Sequence, residues 1–294
     1  MTSLGLLGFG EAGQAIAASL AQGGNAPPIY AFDKARQTDD LSDYATIMPS
    51  PEALASYCDI IVSVVTADEA VNAARSIAPY LRAGQIFADG NSVSPGTKRQ
   101  AQSFIEAAGA HYVDMAIMAP IHPKGHQTPL LLAGDCEAIL TPHLRAWDFS
   151  FAWEGVGVGD ASIVKMLRSV LIKGMESLLA ESVTASEALG LDQRILQSAG
   201  KTLGISDMPA LADYMMERAA THGRRRAAEM REVAKTLSEL GLSNHMSEAI
   251  ALYQDEIADM ALSDVFEGDI PRDRAKLAPA MRKAQNVKIG KDHD

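Results

Sequence analysis

Gly8-Phe9-Gly10-Glu11-Ala12-Gly13 follows the short apolar run Leu4–Leu7 and opens the helical pattern Glu11–Leu20. Each glycine in a G-x-G-x-x-G turn has its own reason. Gly8 permits the tight turn, Gly10 lets backbone approach a pyrophosphate, and Gly13 lets helix and strand pack closely. The helix start, with Glu11 and Ala12, presents unpaired N–H groups and a partial positive charge to phosphates. Asp33 ends the next apolar run, Ile29-Tyr30-Ala31-Phe32, twenty residues beyond Gly13. A carboxylate there accepts from ribose hydroxyls and repels a 2′-phosphate, which favours NAD. Lys34 and Arg36 keep NADP open, since either can meet a 2′-phosphate.

Outward from this turn, short apolar runs alternate with helical patterns. Ile60–Val65, Gln85–Asp89, His111–Met115, Leu130–Ala133 and Phe151–Trp153 read as strands; Asp68–Tyr80 and Pro95–Ala108 read as helices. Ile60–Val65 is so rich in Ile and Val that both its faces are expected to be covered. The alternation predicts an α/β fold with a doubly wound, Rossmann-like parallel sheet. Ligands of such sheets sit beyond the carboxyl ends of strands. That places Val65, Thr66 and Ser92 at a cofactor, with Ser94 before Pro95 capping the next helix. After Gly155-Val156-Gly157-Val158-Gly159 the character changes. Asp160 is a plausible N-cap, one long helix runs to about Leu189, and helices fill the rest. The predicted division is a dinucleotide-binding domain over 1–158 and an all-helical domain over 159–294 that begins with a long interdomain helix.

The chain has 294 residues, with 26 Lys and Arg against 37 Asp and Glu, a net charge of −11. Such a balance repels phosphate backbones and anionic membranes, so neither nucleic acid nor membrane is expected as partner. Cys58 and Cys136 match no zinc or redox spacing and read as buried, reduced thiols. The N-terminus lacks a basic segment followed by a long apolar run, and no stretch reaches the ~18 apolar residues of a span. These readings predict a cytoplasmic protein.

The long helix carries Lys165, Arg168, Ser169, Lys173 and Glu176 as a polar stripe among apolar residues, which reads either as a solvated face or, on a helix that directly follows the nucleotide domain, as a face turned to a binding cleft. A lysine serves as general acid/base only when its pKa falls from ~10.4 towards ~7–8, a shift costing roughly 4 kcal/mol. Partial burial and the cations Arg168 and Lys173 push in that direction and attract an anionic substrate.

These features resemble the β-hydroxyacid dehydrogenase superfamily, the relatives of 6-phosphogluconate and 3-hydroxyisobutyrate dehydrogenases. The likeness rests on Gly8–Gly13 with Asp33, the Asn91–Pro95 loop, the Asp114–Gly134 stretch and Gly159-Asp160-Ala161-Ser162-Ile163-Val164-Lys165-Met166-Leu167-Arg168-Ser169. Pro209-Ala210-Leu211-Ala212-Asp213-Tyr214 and Arg225-Arg226-Ala227-Ala228-Glu229-Met230 resemble a less characterised, phosphogluconate-dehydrogenase-like branch. The resemblance implies metal-free hydride transfer from a small 3-hydroxy acid, a sugar acid being one option. Lys165 is then the general acid/base, and decarboxylation can follow. It also implies a homodimer through the helical domain. Ser169 falls where the family has an asparagine. The family's Ser-Gly-Gly loop is replaced by Ala119–His126, which puts His122 near the serine and adds Lys124. The lysine of a later Lys-Asp-Leu motif is missing.

From this comparison the candidate catalytic residues are Lys165, Ser169 and His122, and the candidate substrate contacts are Lys124, Lys173 and Arg226. No metal is expected, because His122 and His126 lie in a Pro/Gly loop without a completing carboxylate or cysteine. His222 with Arg224, Arg225 and Arg226 reads either as a helix surface offset by glutamates or as an anion site. Trp147, Trp153, Met208, Met215 and Met216 read as packing residues. Two alternatives stay open: an imine reductase on the same scaffold, against which Lys165 argues, and a dinucleotide-binding redox sensor without turnover.

Overall fold

Ile60, Ile61 and Val62 are all buried because their strand lies inside a sheet covered on both faces. The structure, a computed structural model, describes residues 2–36 and 42–289. Its sheet has eight strands: β1 (Leu4–Leu7), β2 (Ile29–Phe32), β3 (Thr46–Ile47), β4 (Ile60–Ser63), β5 (Ile86–Asp89), β6 (His111–Ile117), β7 (Leu130–Ala133) and β8 (Phe151–Gly155). Their order is β3-β2-β1-β4-β5-β6-β7-β8, and the winding reverses at β1 as in a doubly wound arrangement.

One pairing departs from the all-parallel expectation. β7 runs antiparallel to β6, while β8 returns parallel to β7. A parallel partner needs a crossover of a dozen or more residues, usually a helix. Between β6 and β7 stands only a loop with a short 3-10 turn, Gly125–Gln127. The crossover from β7 to β8 is made by α5 (Glu137–Ala146), which the sequence reading did not foresee. Also unforeseen were the two-residue β3 and α2 (Pro51–Tyr57), capped by the Ser50 hydroxyl accepting from Ala53 N.

The period of two along each strand sorts the core into two layers. Leu4, Leu6, Ile60, Val62, Ile86, Ala88 and Met115 face α1 (Glu11–Ala21) and α5, meeting Ile16, Leu20, Leu140 and Trp147. Leu7, Ile61, Phe87 and Tyr112 face the other way, against α2, α3 (Ala70–Ile77) and α4 (Pro95–Ala107). Burial pushes the thiols of Cys58 to about 12 and Cys136 to about 11, which holds both protonated.

α6 (Asp160–Glu187) crosses from one compact unit to the next. The first unit is Met1–Met166 and the second begins at Leu167. The division at 158/159 expected from sequence is therefore displaced by two helical turns. The reason is local: Ala161 packs with Ala116 and Ala133 of the sheet, and Ser162 is hydrogen-bonded to Asp114.

In the second unit α6 continues with α7 (Asp192–Leu203), α8 (Met208–Glu239), α9 (His245–Asp259), α10 (Leu262–Val265) and α11 (Arg274–Ile289). Met208, Met215 and Met216 pack in its core with Val183, Leu196 and Ile257. The Pro209–Tyr214 motif has a structural role here. Asp207 caps α8 by accepting from Ala210 N, and both carboxylate oxygens of Asp213 accept from Arg274 Nη1 while Asp192 Oδ2 accepts from Arg274 Nε. No helix among the described residues is long and apolar enough to cross a membrane.

The turn after β1 explains its glycines. Gly8 has φ +99°, and a Cβ on Gly13 would lie 2.4 Å from the Gly8 carbonyl oxygen. We expect Gly13→Ala to lower the unfolding free energy by about 1–3 kcal/mol in urea titration. Gly24→Ala, where an added Cβ meets nothing within 4 Å, should change it by no more than about 0.5 kcal/mol.

Candidate functional site

Gly10 caps α1 and is exposed, and among the described residues no side-chain cap hydrogen bond forms at this helix start. A Cβ built on Gly10 meets nothing within 4 Å. The space over it is reserved from the protein's own atoms, and the residues present fit a pyrophosphate. Glu11 is exposed and Ala12 half-buried in the same turn. The end of β4 closes the turn from beside. Val64 O lies 2.7 Å and Val65 Cγ1 3.0 Å from where a Gly8 Cβ would stand. Thr66 follows, exposed, at the start of a 3-10 turn.

Asp33 is held against this turn. Its Oδ2 accepts from Phe9 N at 2.7 Å and its Oδ1 from Ala35 N at 2.9 Å. The carboxylate thus stands at the tip of β2, beside the backbone that would carry the phosphates. Lys34 pairs with Glu69 at 2.7 Å, and the Arg36 guanidinium lies over the Phe9 ring at 5.1 Å.

Lys165 and Ser92, expected from sequence to serve chemistry and cofactor separately, are brought together. Lys165 Nζ donates to Ser92 Oγ at 2.5 Å, beyond the carboxyl end of β5. Ser94 caps α4 by accepting from Thr97 N.

Behind this pair lies a cluster that sequence reasoning missed. Lys98, Asp89 and Asp114 have side chains 0% exposed. Lys98 Nζ lies 3.2 Å from Asp89 Oδ1 and 3.4 Å from Asp114 Oδ1, and donates to the Asp89 carbonyl. Tyr112 donates its hydroxyl to Asp89 Oδ2 at 2.6 Å, and burial holds that phenol well above its ordinary pKa. Asp89 Oδ1 also accepts from Asn91 N at 2.9 Å. Asp114 Oδ2 accepts from Gly159 N and Ser162 N at 3.1 and 2.9 Å, and its Oδ1 from Ser162 Oγ at 2.5 Å. The only sequence signal was a lysine one turn into α4, between a strand that ends in Asp89 and a strand that holds Asp114 at its middle.

The loop before β7 is organised by a histidine other than the one singled out. His126 is buried, its Nδ1 lies 2.5 Å from Ser19 Oγ on α1, and burial lowers its pKa. His122 and Lys124 are exposed on the same loop. Among the described residues no group of His, Cys, Asp or Glu forms a metal site.

In the helical unit the sequence-named cations are not open to a ligand. Lys173 lies 2.8 Å from Glu229 and donates to Ser169 Oγ at 3.1 Å. Arg226 lies 3.0 Å from Glu176 and donates to the Arg218 carbonyl. Burying a cation requires a paired anion, and the partners come from across the α6–α8 packing, which spacing along the chain does not reveal. Burial pushes the Glu176 carboxyl from 4.5 up to about 7, against the pull of Arg226, Lys173 and Arg218. Burial, then the charges of Arg218, Arg225 and Arg226, hold His222 down from 6.5 to about 4.

These two shifts act oppositely on stability. Between pH 4.5 and 7 the folded chain keeps a proton on Glu176 that the unfolded chain has lost, so this contribution falls as pH rises. Between pH 4 and 6.5 the unfolded chain binds a proton at His222 that the folded chain lacks, so that contribution rises with pH. We expect Glu176→Gln to make stability climb more steeply with pH than wild type across this range. His222→Asn should make it climb less steeply, with chemical denaturation at stepped pH as the measurement.

Comparison with known proteins agrees with the turn and the sheet order. Residues 3–138 match the family described as the NAD binding domain of 6-phosphogluconate dehydrogenase, and residues 186–257 match a domain of unknown function. A conserved hypothetical protein from Sinorhizobium meliloti 1021 is 32% identical, with 97% of each chain covered and a TM-score of 0.75. A conserved protein of unknown function, described as structurally similar to 3-hydroxyacid dehydrogenases, is 30% identical over 87% of this chain and 97% of its own, with a TM-score of 0.69. 3-Hydroxyisobutyrate dehydrogenase from Salmonella typhimurium shares the fold at 14% identity, with 95% and 99% coverage and a TM-score of 0.69. The chain belongs to the β-hydroxyacid dehydrogenase superfamily.

Proposed function

We propose that the protein is an NAD(P)-dependent dehydrogenase of a small, anionic 3-hydroxy acid, with Lys165 as general acid/base. The observation that carries this reading is the Lys165–Ser92 hydrogen bond at the carboxyl edge of the sheet, in the same compact unit as the glycine turn. The amides at Gly10, Glu11 and Ala12 would hold the pyrophosphate, and Asp33 the adenosine ribose. Asp33 makes NAD the preferred form under this reading, because a carboxylate repels a 2′-phosphate. When bound, the nicotinamide supplies the hydride acceptor.

The chain's own residues handle the proton. Ser92 Oγ accepts from Lys165 Nζ and fixes its direction. Neutral Lys165 then takes the proton of the substrate hydroxyl at Nζ, and in the reverse direction gives it back. Where the product is a 3-keto acid, its carbonyl can accept the electrons of a breaking C–CO₂ bond. Lys173 and Arg226, already committed to Glu229 and Glu176, support Ser169 and the α6–α8 packing in this reading rather than gripping the substrate.

Turnover separates this reading from redox sensing without catalysis. NAD⁺ reduction with a panel of 3-hydroxy acids and sugar acids should be detectable in wild type. It should fall by about 10³-fold or more in Lys165→Met, while NADH binding stays within about twofold. A silent panel, or an active Lys165→Met, would overturn the reading. Gly10→Ala should leave stability unchanged and weaken NADH binding at least about tenfold, because its methyl enters the ligand's space and no protein atom's.

The helical unit also supports the reading of a homodimer. Leu167, Leu171 and Leu178 line α6 at helical spacing and are 42%, 72% and 63% exposed. Under this reading a second copy covers them. Leu171→Glu combined with Leu178→Glu should convert a dimer into a monomer in sedimentation equilibrium, and an unchanged mass would reject this face.

A further inference from the structure

We propose that Lys98, Asp114 and Ser162 are positioning residues that set the Ser92–Lys165 contact. This inference rests on the functional reading above.

A buried lysine between two carboxylates is a poor device for stability alone. Taking such charges out of water costs several kcal/mol per ion, and apolar replacements of similar volume often do as well. What distinguishes this cluster is where its bonds end. On one side Lys98 donates to the Asp89 carbonyl, and Asp89 Oδ1 accepts from Asn91 N. Both bonds fix the backbone that leads into Ser92. On the other side Asp114 accepts from Gly159 N, Ser162 N and Ser162 Oγ. These bonds fix the first turn of α6, and Lys165 follows Ser162 by three residues, about one turn on.

Lys98 Nζ lies between the two aspartates, 3.2 and 3.4 Å from their nearest oxygens. The chain of contacts is therefore continuous: Ser92 loop, Asp89, Lys98, Asp114, Ser162, then Lys165. It has no exposed member from Asp89 to Ser162, so water cannot take over any of its bonds. The role assigned is geometric: none of the three residues is given a proton to transfer or a substrate to touch.

Ser162→Ala is the mild test, because it removes one hydroxyl and leaves the three charges in place. Asp114→Asn is the severe one. Ile77→Val, in the same core layer but on α3, serves as a control for simple loss of packing. We expect kcat to fall about tenfold in Ser162→Ala and about a hundredfold in Asp114→Asn, with KM and the NADH dissociation constant within about threefold. Ile77→Val should stay within about twofold of wild type in kcat. A kcat unchanged in Ser162→Ala, or reduced equally in Ile77→Val, overturns the proposal.

A second readout needs no turnover. The rate at which Lys165 reacts with an amine-directed reagent, followed by peptide mass analysis, should change at least about threefold in Ser162→Ala and not in Ile77→Val. If wild type reduces no NAD⁺ with any acid tested, the dehydrogenase reading fails. The positioning claim is then decided by this rate, and an unchanged rate in Ser162→Ala overturns it.

Discussion

Lys98 carries a charge with no water to face, and the answer to that charge shapes the edge of the sheet where chemistry is expected. Two aspartates, one from β5 and one from β6, surround it, and their remaining oxygens are consumed by backbone amides and by the hydroxyls of Tyr112 and Ser162. Breaking a buried pair by removing one partner typically costs about 3–5 kcal/mol, because the other charge is left stranded. The cluster therefore tolerates few arrangements, and in this one the Asn91–Pro95 loop and the first turn of α6 are fixed in register. The same bonds explain why α6 begins as part of the α/β unit and only later becomes part of the helical one.

A second constraint works at the glycine turn after β1. The glycine turn is kept tight by backbone against backbone, with Gly8 at positive φ and Gly13 against the Gly8 carbonyl, while Gly10 opens outward. Asp33 is locked to the turn through Phe9 N, so the group expected to read the ribose and the group expected to hold the phosphates cannot drift apart. Two hydrogen-bonded ties, Asp33 to Phe9 and Asp114 to Ser162, thus fix the glycine turn and the first turn of α6 within a single compact unit.

Most of the fold was legible in the sequence, because its signals are local. Glycine spacing, β-branched runs and helix caps give the turn, the strands and their alternation with helices. The antiparallel pairing of β7 was not drawn from the sequence, although the Pro/Gly loop between β6 and β7 reads as a loop and not as a crossover helix. For the site, Lys165 and Ser92 were visible as types in suitable places, but their contact spans 73 residues of chain. Lys98 and Asp89 were invisible because charged residues in a sequence read as surface. Lys173 and Arg226 were read as open cations for the same reason: their partners, Glu229 and Glu176, depend on helix packing that no spacing encodes. His126, and not His122, turned out to be the histidine that organises its loop, by a bond to Ser19 more than a hundred residues away.

The account stands on Lys165 acting on the substrate from its seat beside Ser92. A crystal structure of the protein with NADH and a 3-hydroxy acid bound tests this most directly. The account predicts Lys165 Nζ at about 3 Å from the substrate hydroxyl, with Ser92 Oγ still within hydrogen-bond reach of the same nitrogen. A substrate hydroxyl bound by another side chain, with Lys165 turned away from it, would contradict the account.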